Sequence, residues 1–243
     1  MAINSLEKFY SNLINNNKSI FLASGRYKFQ RNEEKKILPE IIKNLNLNKK
    51  DKLLDIGCGS GSFTVPISKK VNTVTAVDFP IILDALKAKS TKYKIKNIDY
   101  VSGNFLNLKI QKKFNKILVY SVIHFMRDLN QLKTLIRKML EITLPNGKIL
   151  LGEVPSFSKK KRFLNSKTGK KIDQIFKVDV EKLNKKYPKG VNSNKKFISI
   201  GDKDIFSIIV YCNKLGAEAY ILPINNELPF CHTRVNILIK KYD

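Results

Sequence analysis

The sequence predicts an α/β protein: a doubly wound, seven-stranded sheet, mostly parallel with an antiparallel last strand, plus N-terminal helices and a basic insertion. Three observations lead there. Short apolar runs alternate with amphipathic stretches between residues 52 and 154, the pattern of parallel strands joined by crossover helices. The segment LLDIGCGSGSFTVPI (53–67) places three of the eleven glycines within five positions, between a strand-like and a helix-like run. Finally, the connector INNELPFCHT between the last two apolar runs is too short for a crossover helix, so those strands must pair antiparallel.

Each element has its own signal. Residues 3–22 and 31–45 read as helices. In the second, Ile37, Ile41, Ile42 and Leu45 recur at helical spacing, and Pro39 marks a first turn or a kink. Strands are predicted at 52–56, 73–77, 98–101, 116–120 and 148–154, and helices at 61–70, 80–91 and 128–142. In the last of these Leu129, Leu132, Leu135, Ile136, Met139 and Leu140 form one stripe, which Pro145-Asn146-Gly147 terminates. Residues 156–200 carry 14 Lys and Arg against three acids, with weak periodicity. They read as an insertion or lid in which IDQIFKVDVEKL is compatible with a helix. A helix at 202–216 and strands at 217–223 and 234–241 complete the chain. The expected organisation is a helical cap over 1–50, a core over 51–155 and 201–243, and the insertion over 156–200.

The net charge of +26 has two readings. One is attraction to nucleic acid. The other is genome composition, because Lys, Asn and Ile share A/T-rich codons. The 40 Lys against 6 Arg favour the second, since Arg supplies the bidentate phosphate and base contacts. No window approaches the roughly 18 apolar residues of a membrane span, and the N-terminus lacks a signal-peptide core. Cys58, Cys212 and Cys231 are odd in number and lack metal or redox spacing. The expectation is a soluble, reduced, cytoplasmic protein without a metal site.

The glycines carry the chemistry. A strand running into closely spaced glycines and then a helix lets a ligand approach the backbone where no Cβ intervenes. Here the spacing is Gly57-Cys58-Gly59-Ser60-Gly61, one residue shorter at the third glycine than the dinucleotide fingerprint. Asp55 precedes the first glycine and would repel a pyrophosphate. Asp78 ends the next strand, 21 residues beyond Gly57, an offset that suits hydrogen bonds to ribose hydroxyls.

Taken in order, LLDIGCGSG, VTAVDFP, VSGNFLNL, ILVYSVIHF and LPNGKILLGEVP resemble a class I S-adenosylmethionine-dependent methyltransferase with a Rossmann-like fold. The resemblance is specific over about 50–155 and weaker over 202–241. It implies S-adenosylmethionine as cofactor and S-adenosylhomocysteine as product. It assigns Asp55, Gly57, Cys58, Gly59 and Gly61 to the cofactor loop, and Asp78 and Phe79 to the ribose and adenine edge. Asn104 and Phe105 would cover the adenine, and Ser121 would lie near the methionine. Many members carry Asp where this chain has Asn104, whose side-chain oxygen can still meet an amino group. The N-terminal segment often caps the cofactor in this family, which brings Tyr10 and Tyr27 toward it, Tyr27 as a substrate contact.

Ligands in such sheets sit at the carboxyl ends of the parallel strands. His124 follows the fourth strand, and His232 precedes the last, which runs the other way, so topology brings both to that rim. They and Glu153, near the end of the fifth strand, are the candidate catalytic residues. Arg234 is the candidate contact to an anionic acceptor. Each also has a structural reading: a histidine bound to a loop carbonyl, or Glu153 paired with a lysine of the insertion. No N-P-P-Y or D-P-P-Y motif follows the fourth strand. SVIHF and the C-terminal half resemble instead the small-molecule branch found with bacterial surface-polysaccharide biosynthesis. That implies a sugar, nucleotide-sugar or related acceptor. The alternatives are RNA methylation, with 156–200 as a docking surface, and a cofactor-binding subunit without turnover.

Overall fold

The computed structural model describes residues 31–186, 198–228 and 230–243. Seven strands form one sheet in the order β3-β2-β1-β4-β5-β7-β6. They are β1 (Lys52–Ile56), β2 (Thr73–Asp78), β3 (Ile98–Ser102), β4 (Phe114–Tyr120), β5 (Thr143–Pro155), β6 (Ala217–Leu222) and β7 (Arg234–Lys241). Strands β1 to β5 pair parallel, and β7 lies antiparallel between β5 and β6. The order reverses beside β1, so β1 and β4 diverge at the switch point where such sheets bind ligands.

Alternating side chains divide the core into two layers. Leu54, Val119 and Leu151 face one cluster with Leu132, Ile136 and Met139 of α4 (Leu129–Ile142) and Ile205 and Ile208 of α7 (Asp202–Lys214). Their sequence neighbours Leu53, Leu118 and Leu150 face the opposite cluster. That layer is covered by α1 (Arg31–Leu45), α2 (Thr64–Ser68) and α3 (Pro80–Lys92). Helices on both faces explain why the strands are near-continuous apolar runs. Helix α4 begins at an Asp128 cap, whose carboxylate accepts from the Gln131 N–H at 2.8 Å.

Several boundaries differ from the sequence reading. The helix predicted over 61–70 shrinks to Thr64–Ser68, because the glycine loop occupies its first turn. Pro39 lies well inside α1 rather than near its start. Helix α4 ends at Ile142 and passes straight into β5, so Pro145-Asn146-Gly147 lies within an irregular strand start where Asn146 has φ +58°. The stretch after β5 is mainly helical: α5 (Phe157–Asn165) and α6 (Lys167–Lys186). The predicted helix at 3–22, which holds Tyr10, and Tyr27 beyond it lie outside the described residues. Among the described residues no helix is long and apolar enough to cross a membrane, and Cys58, Cys212 and Cys231 are free and buried.

One close approach locks the packing on the face of β4 and β5. Tyr120 is the register partner of Gly152, and a Cβ at Gly152 would sit 2.1 Å from the Tyr120 ring. Phe63 packs edge-on against the same ring at 5.2 Å. Gly152→Ala is therefore expected to lower stability in urea unfolding by about 1–3 kcal/mol through overpacking. Combining it with Tyr120→Val should cost less than the sum of the two single changes.

Candidate active site

The glycine loop follows β1 directly and is tied to β2: the Gly57 and Cys58 N–H groups both donate to the Val77 carbonyl, at 2.8 and 3.3 Å. Gly57, Gly59 and Gly61 have φ of +73°, +55° and +78°, the left-handed region in which side chains are strained. A Cβ at Gly57 would lie 2.4 Å from the Val122 methyl, and one at Gly61 would lie 2.2 Å from the Leu86 methyl. At Gly59 it would meet nothing within 4 Å. The outer glycines thus let the loop pack, and the middle one faces open space beside Asp78.

Two carboxylates flank this space. Asp78 accepts from the Gly59 N–H on one oxygen and the Phe79 N–H on the other, both at 2.8 Å. Each oxygen retains capacity for a second hydrogen bond, which ribose hydroxyls can use. Burial pushes the Asp78 carboxyl up to about 6, against the pull of these two donors. Asp55 is 3% exposed and accepts from the Thr64 hydroxyl at 2.7 Å. Burial pushes its carboxyl up to about 7, and the nearby Asp78 charge adds to the rise. Such a loop disfavours a pyrophosphate and suits a ligand carrying positive charge, so these residues fit S-adenosylmethionine.

The remaining loop and adenine-edge candidates occupy less open positions. Cys58 is buried, and burial raises its thiol well above the usual range. Phe79 caps α3 and is half-buried. Asn104 spends its side-chain oxygen on the Leu106 N–H at 3.0 Å, capping the short turn Phe105–Asn107. Phe105 is packed into the core with Leu54 and Val77 and has the Lys138 ammonium 5.2 Å from its ring centre. Asn104 thus caps the turn at the end of β3 with an oxygen that can accept one further hydrogen bond, and Phe105 packs into the core beside it.

At the carboxyl edge of β4 and β5 a polar cluster assembles from distant parts of the chain. The Arg234 guanidinium donates to the Ser121 hydroxyl at 3.2 Å and pairs with the Glu153 carboxylate at 3.3 Å. It also lies 4.1 Å from the Phe230 ring centre, a cation–π contact. Glu153 is 1% exposed and sits at a register shift in β5 with φ +55°. Its N–H donates to the side-chain oxygen of buried Asn236 at 2.9 Å, which replaces a ladder bond lost at the bulge. Glu153 is thus paired with Arg234, and part of the Arg234 charge is already neutralised. Lys159 donates to the Arg234 carbonyl at 3.1 Å.

The histidines share this edge by position. His124 lies three residues beyond Ser121, in the turn Ile123–Phe125, its ring centre 3.9 Å from that of Phe125. His232 lies two residues before Arg234 and stacks on Phe163 of α5, with centres 4.4 Å apart and planes within 7°. Tyr27 falls outside the described residues. Sequence reasoning missed Thr64, Asn236 and Lys159. The first two are short polar side chains in apolar runs, a signal that was legible but not specific. Among the described residues no group of three or more His, Cys, Asp or Glu side chains could hold a metal ion.

The raised Asp55 carboxyl has a consequence for stability. A folded-state value above the ordinary 3.8 means the fold favours the protonated acid. Its contribution is complete below pH 3.8 and lost as pH rises through about 7. Asp55→Asn, which keeps an acceptor for Thr64, is expected to raise Tm at pH 8. That gain should shrink as the pH is lowered to about 5, as melting curves across this range would show.

Comparison with known proteins agrees with this geometry. Residues 53–147 match the family model described as "Methyltransferase domain". A probable cobalt-precorrin-6B C(15)-methyltransferase of Methanococcus maripaludis is 35% identical over 124 residues, 49% of this chain and 64% of that protein. Its counterpart in Methanocaldococcus jannaschii is 37% identical over 79 residues, 32% of this chain and 43% of that protein. The 23S rRNA (uracil(1939)-C(5))-methyltransferase of Aliivibrio fischeri is 28% identical over 119 residues, 46% of this chain and 27% of that protein. The chain thus matches less than two thirds of the length of these curated relatives. Among solved structures, the N-methyltransferase NodS of Bradyrhizobium japonicum in complex with S-adenosylhomocysteine superposes with a TM-score of 0.60 at 13% identity. That match covers 100% of this chain and 99% of that one. Magnesium protoporphyrin IX methyltransferase of Synechocystis gives 0.57 at 12% identity, covering 88% and 83%. At such identities the likeness is one of fold. Residues 53–147 are thus similar to methyltransferase domains, and the seven-stranded sheet shares the fold of two methyltransferases solved with S-adenosylhomocysteine.

Proposed function

We propose that this chain transfers a methyl group from S-adenosylmethionine to a small anionic acceptor bound at the carboxyl edge of the sheet. The observation that carries the reading is the oriented guanidinium of Arg234, 18% exposed as a side chain and held between Glu153, Ser121 and Phe230. Lys159, whose ammonium donates to the Arg234 carbonyl at 3.1 Å, brings a second cation to this edge. A fixed guanidinium binds a carboxylate or phosphate with less loss of freedom than a mobile one. A sugar carrying such a group, free or nucleotide-linked, meets these demands.

When bound, the cofactor supplies an electrophilic methyl group on a sulfonium. The protein's own work is positioning. Asp78 would hold the ribose through its two oxygens, and the Gly59 backbone leaves room for the ligand. Arg234 and Ser121 would orient the acceptor, and fixing two reactants in line supplies much of the rate in such displacements. His124 or His232 would take the proton from an acceptor hydroxyl or ammonium. Glu153, buried and paired with Arg234, is better placed to hold the guanidinium than to exchange protons.

Asp78→Ala is expected to weaken S-adenosylhomocysteine binding about tenfold or more in equilibrium dialysis. Wild-type binding should itself weaken as pH falls below about 6, where the carboxyl takes up a proton. Arg234→Lys, which keeps the charge but loses the fork, should raise KM for the acceptor about tenfold while changing kcat less.

RNA is the second reading, favoured by the basic helices after β5. The two separate when labelled methyl groups are transferred into cell extract fractionated into RNA, protein and small molecules. Label in the small-molecule fraction supports the first reading. Label in RNA, lost on nuclease treatment and at raised salt, overturns it.

A further inference from the structure

We propose that the helical pair α5 and α6 (residues 157–186) is a docking surface for an anionic lipid bilayer. The inference stands apart from methyl transfer and rests on charge distribution, exposed apolar side chains and place in the fold.

Charge is concentrated here. Residues 157–186 hold eleven basic and three acidic residues, an excess of eight in thirty positions, whereas the whole chain has an excess of 26 in 243. Genome composition spreads lysine through a chain; it does not account for a density well over twice the average in one structural unit. Asp173 pairs with Lys177 at 2.7 Å, and Arg162 pairs outside the unit with Asp202 at 2.5 Å. Three acids cannot neutralise eleven cations from within, so the pair of helices presents a positive field to an external anion.

Apolar side chains lie exposed among those cations. Ile172, Ile175 and Val178 of α6 follow one another at three-residue spacing and are 43%, 56% and 49% exposed. Phe157, which opens α5, is 57% exposed. Helix α5 fully buries none of its residues. A surface helix of a globular protein ordinarily turns such residues inward. Basic residues flanking exposed aliphatic ones characterise a helix that lies in a bilayer interface, with its apolar groups among the acyl chains and its lysines at the headgroups.

The chemistry favours lipid over RNA. Ten of the eleven cations are lysine, point charges suited to a diffuse anionic surface rather than to bidentate phosphate recognition. Among the described side chains of α6 the exposed large apolar ones are aliphatic, which stack poorly on bases, and the Phe163 ring is already stacked on His232. Placement adds a third argument. Helix α5 starts two residues after β5 ends, its cap Ser156 accepting from the Lys159 N–H at 3.2 Å. The Phe157 N–H is pinned to the Ile200 carbonyl at 2.7 Å. The surface therefore adjoins the edge that carries Glu153 and Arg234, and docking would bring that edge close to the headgroups.

The test is sedimentation of the full chain with phosphatidylcholine vesicles, with and without phosphatidylglycerol. The chain contains no tryptophan, so Ile175→Trp installs a single fluorescent reporter at an exposed position. The expected results are binding only to vesicles with phosphatidylglycerol and a blue shift of Trp emission on binding. Affinity should fall about fivefold for each lysine neutralised, as in Lys170→Gln and Lys171→Gln, and fall also for Ile172→Ser. Wild-type protein that stays in the supernatant would overturn the proposal without recourse to any variant. So would binding without a blue shift and indifferent to Ile172→Ser, or tighter binding to an RNA oligonucleotide than to the vesicles. None of these outcomes depends on turnover, so failure here leaves the methyltransferase reading untouched.

Discussion

The reversal of β7 is the constraint on which the candidate site depends. Because β7 runs antiparallel between β5 and β6, its first residue lies where the neighbouring parallel strand ends. Arg234 opens β7 and Glu153 lies near the end of β5; they are 81 residues apart in sequence and within 3.3 Å in space. Were β7 parallel, its opening residue would lie at the amino edge, and Arg234 could not reach Ser121. The bulge in β5 then tunes the pairing. Asn236 captures the Glu153 N–H, and Glu153 takes up a left-handed conformation that a regular strand would not permit.

Opposite ends of the same strands treat their acids differently. At the amino end, Asp51 accepts from the Asn48 N–H at 2.7 Å and the Asn115 amide at 2.6 Å, with the Lys116 ammonium 4.0 Å away. That end is a closed hydrogen-bonded corner. At the carboxyl end, desolvation dominates at Asp55 and Asp78, and both carboxyls are held above their ordinary range. Two nearby carboxylates around a glycine loop destabilise the protein when charged. Their placement makes sense as preparation for a ligand that supplies hydroxyl donors and positive charge. The acid at the amino end is thus closed off by hydrogen bonds, and the acids at the carboxyl end lie beside open space at Gly59.

Much of the architecture was legible because its signals are local. The stripe of α4, the apolar runs of β1, β2 and β4, and the glycine triplet each depend on residues a few positions apart, as helical and strand periodicities do. The short connector also revealed the reversal of β7, because chain length limits which crossovers can form. Less was legible where neighbours in space override neighbours in sequence. The helix after the glycine loop lost its first turn to the loop. Pro145-Asn146-Gly147 joined the start of a strand because Thr143 pairs with Phe114, a contact that no local turn preference discloses.

The sequence by itself determined the layered α/β sheet, the glycine triplet at 57, 59 and 61 and the acids at 55 and 78, since these follow from periodicity, backbone freedom and strand ends. Only the tertiary structure decided what those acids and the distant polar residues touch. It gave Glu153 to Arg234, stacked His232 on Phe163, committed the Asn104 oxygen to a backbone N–H, and left Ile172, Ile175 and Val178 facing out. The physical reason is that a side chain's partner is chosen by strand register and by packing across long stretches of chain. A one-residue change of register reverses which face of a strand each side chain meets.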